Sequence, residues 1–133
     1  MKELLIEAKV ENLDVVIDFI FDALGTASFS QKTQAQISIA TEEIFVNIAS
    51  YAYGDKVGDA AIRVDAAETV VIEFEDSGVP FNPLESENPD ITLTAAEREV
   101  GGLGIFMLKK LMDTVEYRYE GGKNILTITK NKE

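Results

Sequence analysis

The chain holds 133 residues, of which 46% are hydrophobic and 27% charged, a length that suits a single domain spanning residues 1–133. Asp and Glu number 24 against 12 Lys and Arg, a formal net charge of −12, which argues against a protein that grips nucleic acid through its phosphates. With no Cys and no His, thiolate zinc sites, CxxC redox pairs, Ser-His-Asp triads and His-ligated haem are excluded, and chemistry falls to carboxylates, amides, hydroxyls, backbone groups, Lys, Arg or a hard metal ion held by oxygen.

Met1 to Glu7 lacks the long apolar core of a secretory signal, and no apolar run approaches the ~20 residues that span a bilayer, so the expectation is a cytoplasmic protein without a membrane partner. Leu4 to Val10 reads as a strand. Asn12 is placed to cap a helix whose Leu13, Val16, Ile17, Ile20 and Leu24 recur at helical spacing, with Gly25 as its stop. Ser30 caps a longer helix, striped by Ile37, Ala40, Ile44 and Ile48, which runs on until Tyr53-Gly54-Asp55. Ala61 to Val64 and Val70 to Glu75 are β-rich and separated by a turn near Ala66-Ala67-Glu68, the pattern of an antiparallel hairpin.

From Ser77 to about Val100 the pattern dissolves into Gly, Pro, Asn, Asp and Glu, and a loop of that length inside a compact domain reads as a functional lid. Gly101-Gly102-Leu103-Gly104 opens a helix through Met112; a strand through Val115, Tyr117 and Tyr119 then turns at Gly121-Gly122 into a last strand, Asn124 to Lys130. Strand pairs with short turns beside grouped helices predict an α+β, two-layer α/β sandwich with helices on one sheet face.

Three patches carry chemistry. Glu43 and Asn47, four residues apart, project from one helix face and can share a ligand; taken alone, such a pair is more often a solvated surface pair. Asp76, in Asp76-Ser77-Gly78-Val79-Pro80-Phe81-Asn82-Pro83, falls by strand alternation on the face of Ile72 and Phe74, with Glu73 and Glu75 on the other. A carboxylate there can accept from an exocyclic amine such as that of adenine, while Gly78 admits a flat ring close to the backbone; an ordinary turn is the competing reading. Gly101 to Gly104 offers backbone N–H groups at a helix start, a phosphate cradle or, equally on spacing, a lid hinge. It is neither a Walker A loop nor a dinucleotide fingerprint.

In this order and spacing the three patches resemble the Bergerat-fold ATP-binding domains of gyrase, Hsp90-type chaperones, histidine kinases and MutL. Among these the chain is most similar to the small stand-alone anti-sigma factor serine kinases, from Leu4 to Lys130, on Glu43-x-x-x-Asn47, Asp76-x-Gly78-x-Pro80-Phe81-x-Pro83 and Gly101-Gly102-Leu103-Gly104-Ile105 followed by Leu111-Met112-Asp113. The resemblance implies a mixed, mostly antiparallel sheet covered on one face by three helices. It implies ATP and Mg²⁺ as cofactors: Asn47 binding the metal, Glu43 as general base, Asp76 reading the adenine amine, Gly78 against the base, Pro80 among the nucleotide-binding residues, and Gly101, Gly102, Leu103 and Gly104 at the phosphates. Arg98, in the lid, is the candidate for neutralising terminal phosphate charge.

The same resemblance implies partners, a STAS-type anti-anti-sigma antagonist that receives the phosphate and a sigma factor, and it leaves a homodimer open, as many such regulators are dimers. Two departures stand out. Relatives often carry a His or another basic residue four positions after the metal-binding Asn, where this chain has Tyr51; and their Gly-Thr-Thr type of segment reads Gly122-Lys123-Asn124-Ile125-Leu126 here, so no nucleotide contact is assigned to Thr127. Beside the serine kinase stand an ATP-gated binding module without significant transferase activity and a plain interaction protein. The absence of His argues against a complete histidine kinase.

Overall fold

The computed structural model describes residues 1–25, 29–54, 56–82 and 108–131. Five strands form one sheet: β1 (Lys2–Glu7), β2 (Asp59–Ala66), β3 (Thr69–Asp76), β4 (Thr114–Glu120) and β5 (Lys123–Asn131), in the spatial order β1-β2-β3-β5-β4. All four pairings are antiparallel, so among the described residues the sheet contains no parallel pair of the kind a mixed sheet would have. Two helices, α1 (Leu13–Leu24) and α2 (Gln31–Asn47), and a helical turn at 108–111 supply the second layer.

The core lies between the layers because both periodicities converge on it. Val16, Ile20 and Leu24 of α1 and Ile37, Ala40, Ile44 and Phe45 of α2 bury against Ile62, Val64, Ile72, Phe74, Leu126 and Ile128 of the sheet, with Leu108 and Met112 closing the cluster. Thr41, 1% exposed, sits among them with its Oγ1 lacking a hydrogen-bond partner among the described residues. The opposite sheet face is polar: Arg63 reaches Glu3, Glu73 and Glu75 at 3.1, 3.0 and 2.9 Å.

Local signals act where expected, with shifts at the ends. Ser30 caps α2, its hydroxyl accepting from Thr33 N–H at 3.1 Å, and Gly25 ends α1 at φ 66°. Asn12 occupies the N-cap position of α1 without capping it; its amide donates instead to the Glu7 carbonyl at 2.9 Å. Strand β1 stops at Glu7 rather than Val10, since Val10 already begins a 3₁₀ turn, Val10–Asn12. The stripe of α2 does run on past Asn47, but as a π turn, Ile48–Ala52. Gly121 and Gly122, at φ 62° and 80°, make the two-residue turn between β4 and β5, which demands positive φ at both positions.

This topology sets up the site. β3 lies at the centre of the sheet, and the chain leaves it after Asp76, travels to the outer strand β4, and returns in β5 beside β3. Asp76 thereby pairs in register with Asn124, 48 residues later, and with Ala60 of β2.

Candidate functional site

Two polar clusters occupy the core-side ends of α2 and β3. In the first, on α2, Asn47 Nδ2 donates to Glu43 Oε1 at 3.0 Å. Partial burial raises the Glu43 carboxyl above the usual glutamate range, the Asn47 bond lowers it in part, and neighbouring Glu42 raises it further. A base with an upward-shifted pKa takes a proton more readily than an ordinary surface glutamate. The helix flank therefore presents a carboxylate and an amide together rather than two separate solvated side chains.

The second cluster is built around Asp76, 7% exposed on the core face of β3 beside Phe74 and Ile72, while Glu73 and Glu75 face the other way toward Arg63. Its Oδ1 accepts from Asn124 Nδ2 at 3.0 Å and from Gly78 N–H at 2.9 Å. No hydrogen bond to Oδ2 is formed among the described residues, so that oxygen retains its acceptor capacity. Burial raises the Asp76 carboxyl above the usual aspartate range, the Asn124 and Gly78 bonds oppose this, and Glu75 adds to it.

Asn124, 6% exposed, was not among the candidate residues, and it organises the cluster. Besides Asp76, its amide nitrogen reaches the carbonyls of Val79 at 2.9 Å and Gly78 at 3.4 Å, while its oxygen accepts from Phe81 N–H at 3.1 Å and from the Tyr117 hydroxyl. Pro80 thus sits exposed on a loop pinned on both sides of it. One signal was available: Asn is depleted in strands, so an Asn at the start of β5 needed a reason.

Gly78 has a structural reason to be glycine. A Cβ at this position would lie 2.1 Å from the Ala52 carbonyl oxygen and 2.6 Å from its carbon, and the adjacent Val79 N–H donates to that same carbonyl at 3.1 Å. The close approach is thus made by the backbone of the π turn. That contact, with a bond from Ser77 N–H to the Tyr53 hydroxyl at 2.8 Å, joins the two clusters. Tyr51 is 51% exposed. Arg98 and Gly101, Gly102, Leu103 and Gly104 lie outside the described residues.

The donor set fits a hard cation only in part on its own. Asn47 uses its amide nitrogen on Glu43, which leaves the amide oxygen as the atom that suits Mg²⁺. Among the described residues no group of three or more Asp, Glu, His or Cys could hold a metal, so the described side chains do not form a complete metal cage.

Residues 6–130 match the family described as the histidine kinase-like ATPase domain. The chain belongs to that family. Within it, the chain is 29% identical over 129 residues to the serine-protein kinase RsbW of Bacillus cereus (strain AH187), covering 93% of this chain and 81% of that protein. It is 28% identical over the same span to the serine-protein kinase RsbW of Bacillus mycoides (strain KBAB4). Among solved structures, the RsbU and RsbW domains of Rv1364c from Mycobacterium tuberculosis superpose with TM-score 0.64 at 18% identity over 99% of this chain; the chain spans 33% of that protein's length. The Acinetobacter baumannii histidine kinase AdeS superposes with TM-score 0.56 at 13% identity, over all of this chain and 70% of that one. At these identities the superpositions speak for the fold of the family alone. Among the described residues, no helix is long and apolar enough to cross a membrane.

Proposed function

We propose that this protein is an ATP-dependent anti-sigma factor and serine-protein kinase, which phosphorylates a STAS-type anti-anti-sigma antagonist and also binds a sigma factor, in the cytoplasm. The observation that carries the reading is the presence, on one continuous scaffold, of a buried Asp76 with an oxygen left to accept and a Glu43–Asn47 pair at the end of α2. The first suits the exocyclic amine of adenine; the second suits the reacting end of the triphosphate. Names of the relatives support the kinase class.

In this reading Asp76 Oδ2 accepts from the adenine amine, and Asn47 would hold Mg²⁺ together with phosphate oxygens; bound there, the ion neutralises charge on the phosphates. Glu43 takes the proton of the attacking Ser or Thr hydroxyl. The hydroxyl oxygen forms a bond to the γ-phosphorus as the bond from that phosphorus to the β,γ-bridging oxygen breaks, and ADP departs with the electron pair. Most of the rate then comes from positioning and electrostatics. Arg98 is proposed to lie against the terminal phosphate, and Gly101, Gly102, Leu103 and Gly104 to give it their backbone N–H groups.

The test is incubation with γ-labelled ATP, magnesium and a candidate antagonist. Label on the antagonist is the expected result. Glu43→Gln keeps an oxygen in place for Asn47 and should bind ATP normally while transferring at least ~10²-fold more slowly; normal transfer by that variant removes Glu43 from the role of base. One observation favours a second reading, an ATP-gated binding module: Tyr51, exposed and uncharged, stands where the family resemblance often has a basic residue. ATP binding without any transfer to antagonists would select it.

A further inference from the structure

The two ends of the proposed nucleotide site belong to different elements, and one side chain spans the joint between them. Asn47 ends α2, and the π turn carries the chain directly to Tyr53; Asp76 ends β3, and Ser77 follows it. The Tyr53 hydroxyl accepts from Ser77 N–H at 2.8 Å and donates to the Asp59 carbonyl at 2.5 Å. Its ring is pressed on Gly58, where a Cβ would lie 2.2 Å from the ring carbons, and Gly58 is in turn held by its carbonyl accepting from Ala8 N–H at 2.8 Å. One residue earlier, the Ala52 carbonyl takes Val79 N–H and fills the space beside Gly78. Thus a phenol anchored to the start of β2 fixes the exit of β3 against the end of α2.

We propose that Tyr53 is a positioning residue that sets the span between the adenine end of the site at Asp76 and the phosphate end at Asn47. This rests on the nucleotide reading above. Tyr53 touches neither end of the ligand; it acts through the Ser77 backbone. A ligand that engages both ends must match the span, whereas one that engages only the base does not. Its signature is therefore selective: loosening Tyr53 weakens ATP and spares adenosine.

Tyr53→Phe keeps the ring on Gly58 and deletes both hydroxyl bonds, whose partners lie where water can replace them. Titrating the full-length protein with Mg·ATP and with adenosine, in parent and variant, is expected to show Mg·ATP weakened about five- to tenfold, the worth of a net hydrogen bond, with adenosine unchanged within about twofold. Equal losses for the two ligands, or no loss for either, overturn the proposal. A parent protein that binds neither ligand overturns the nucleotide reading itself and takes this proposal with it. Should the variant not fold, amide exchange at Ser77 in the parent decides: added protection with Mg·ATP beyond that with adenosine supports the role, and equal protection refutes it.

Discussion

Replacing Asp76 by Asn pulls apart two quantities that usually fall together, stability and affinity. Asp76 is almost fully buried, and among the described residues both of its hydrogen bonds fall on Oδ1, from Asn124 Nδ2 and Gly78 N–H. An Asn that places its amide oxygen at that position keeps both bonds and discards a buried charge. Because burial holds the folded-state pKa of Asp76 above its unfolded value, the carboxyl favours folding when protonated, and that contribution is lost as pH rises through the folded pKa. Each unit of such a shift corresponds to about 1.4 kcal/mol. Asp76→Asn should therefore match the parent in thermal stability at pH 4 and equal or exceed it at pH 7. Affinity moves the other way. The variant presents an N–H donor where Oδ2 accepted, so a charge-assisted bond worth about 1.5–3 kcal/mol disappears, and ATP binding should weaken about 10- to 150-fold. Melting curves at both pH values, with calorimetric titration of Mg·ATP at pH 7, give the answer. A variant that melts well below the parent at pH 7, or that binds ATP undiminished, refutes the assignment of Asp76 as a buried acceptor facing the base.

Two further substitutions probe the frame. Gly78→Ala must displace the Ala52 carbonyl, which lies 2.1 Å from the new Cβ; a loss of about 1–3 kcal/mol in urea unfolding is expected, and an unchanged midpoint would deny the close approach. Thr41→Val removes a buried hydroxyl that has no partner among the described residues and should raise stability by about 1 kcal/mol, read as a higher melting temperature; a lower one would mean the hydroxyl is satisfied after all.

Much of the fold was legible because the signals are local. The alternation of β3 places Asp76 inward and Glu73 and Glu75 outward, the paired glycines at 121–122 announce their turn, and Ser30 caps α2 through its own hydroxyl. What escaped the sequence depends on partners far along the chain. Asn124 meets Asp76 only because β5 lies beside β3, 48 positions further along the chain, and no periodicity reports which strands are neighbours. At Gly78 the sequence does not show the Ala52 carbonyl, which stands 2.1 Å from where a Cβ would lie, a contact invisible until the π turn is placed. Asn12 shows local competition instead: its amide finds the Glu7 carbonyl, and the cap is forgone.

The detour between β3 and β4 has an architectural consequence. Because β5 returns to lie against β3, the two strands that flank residues 83–107 share one partner, β3 and β4 each pairing with β5. That partner is the last strand in the sequence order of the sheet, so cutting the chain before it would leave β3 an unpaired edge and detach β4 from the sheet altogether.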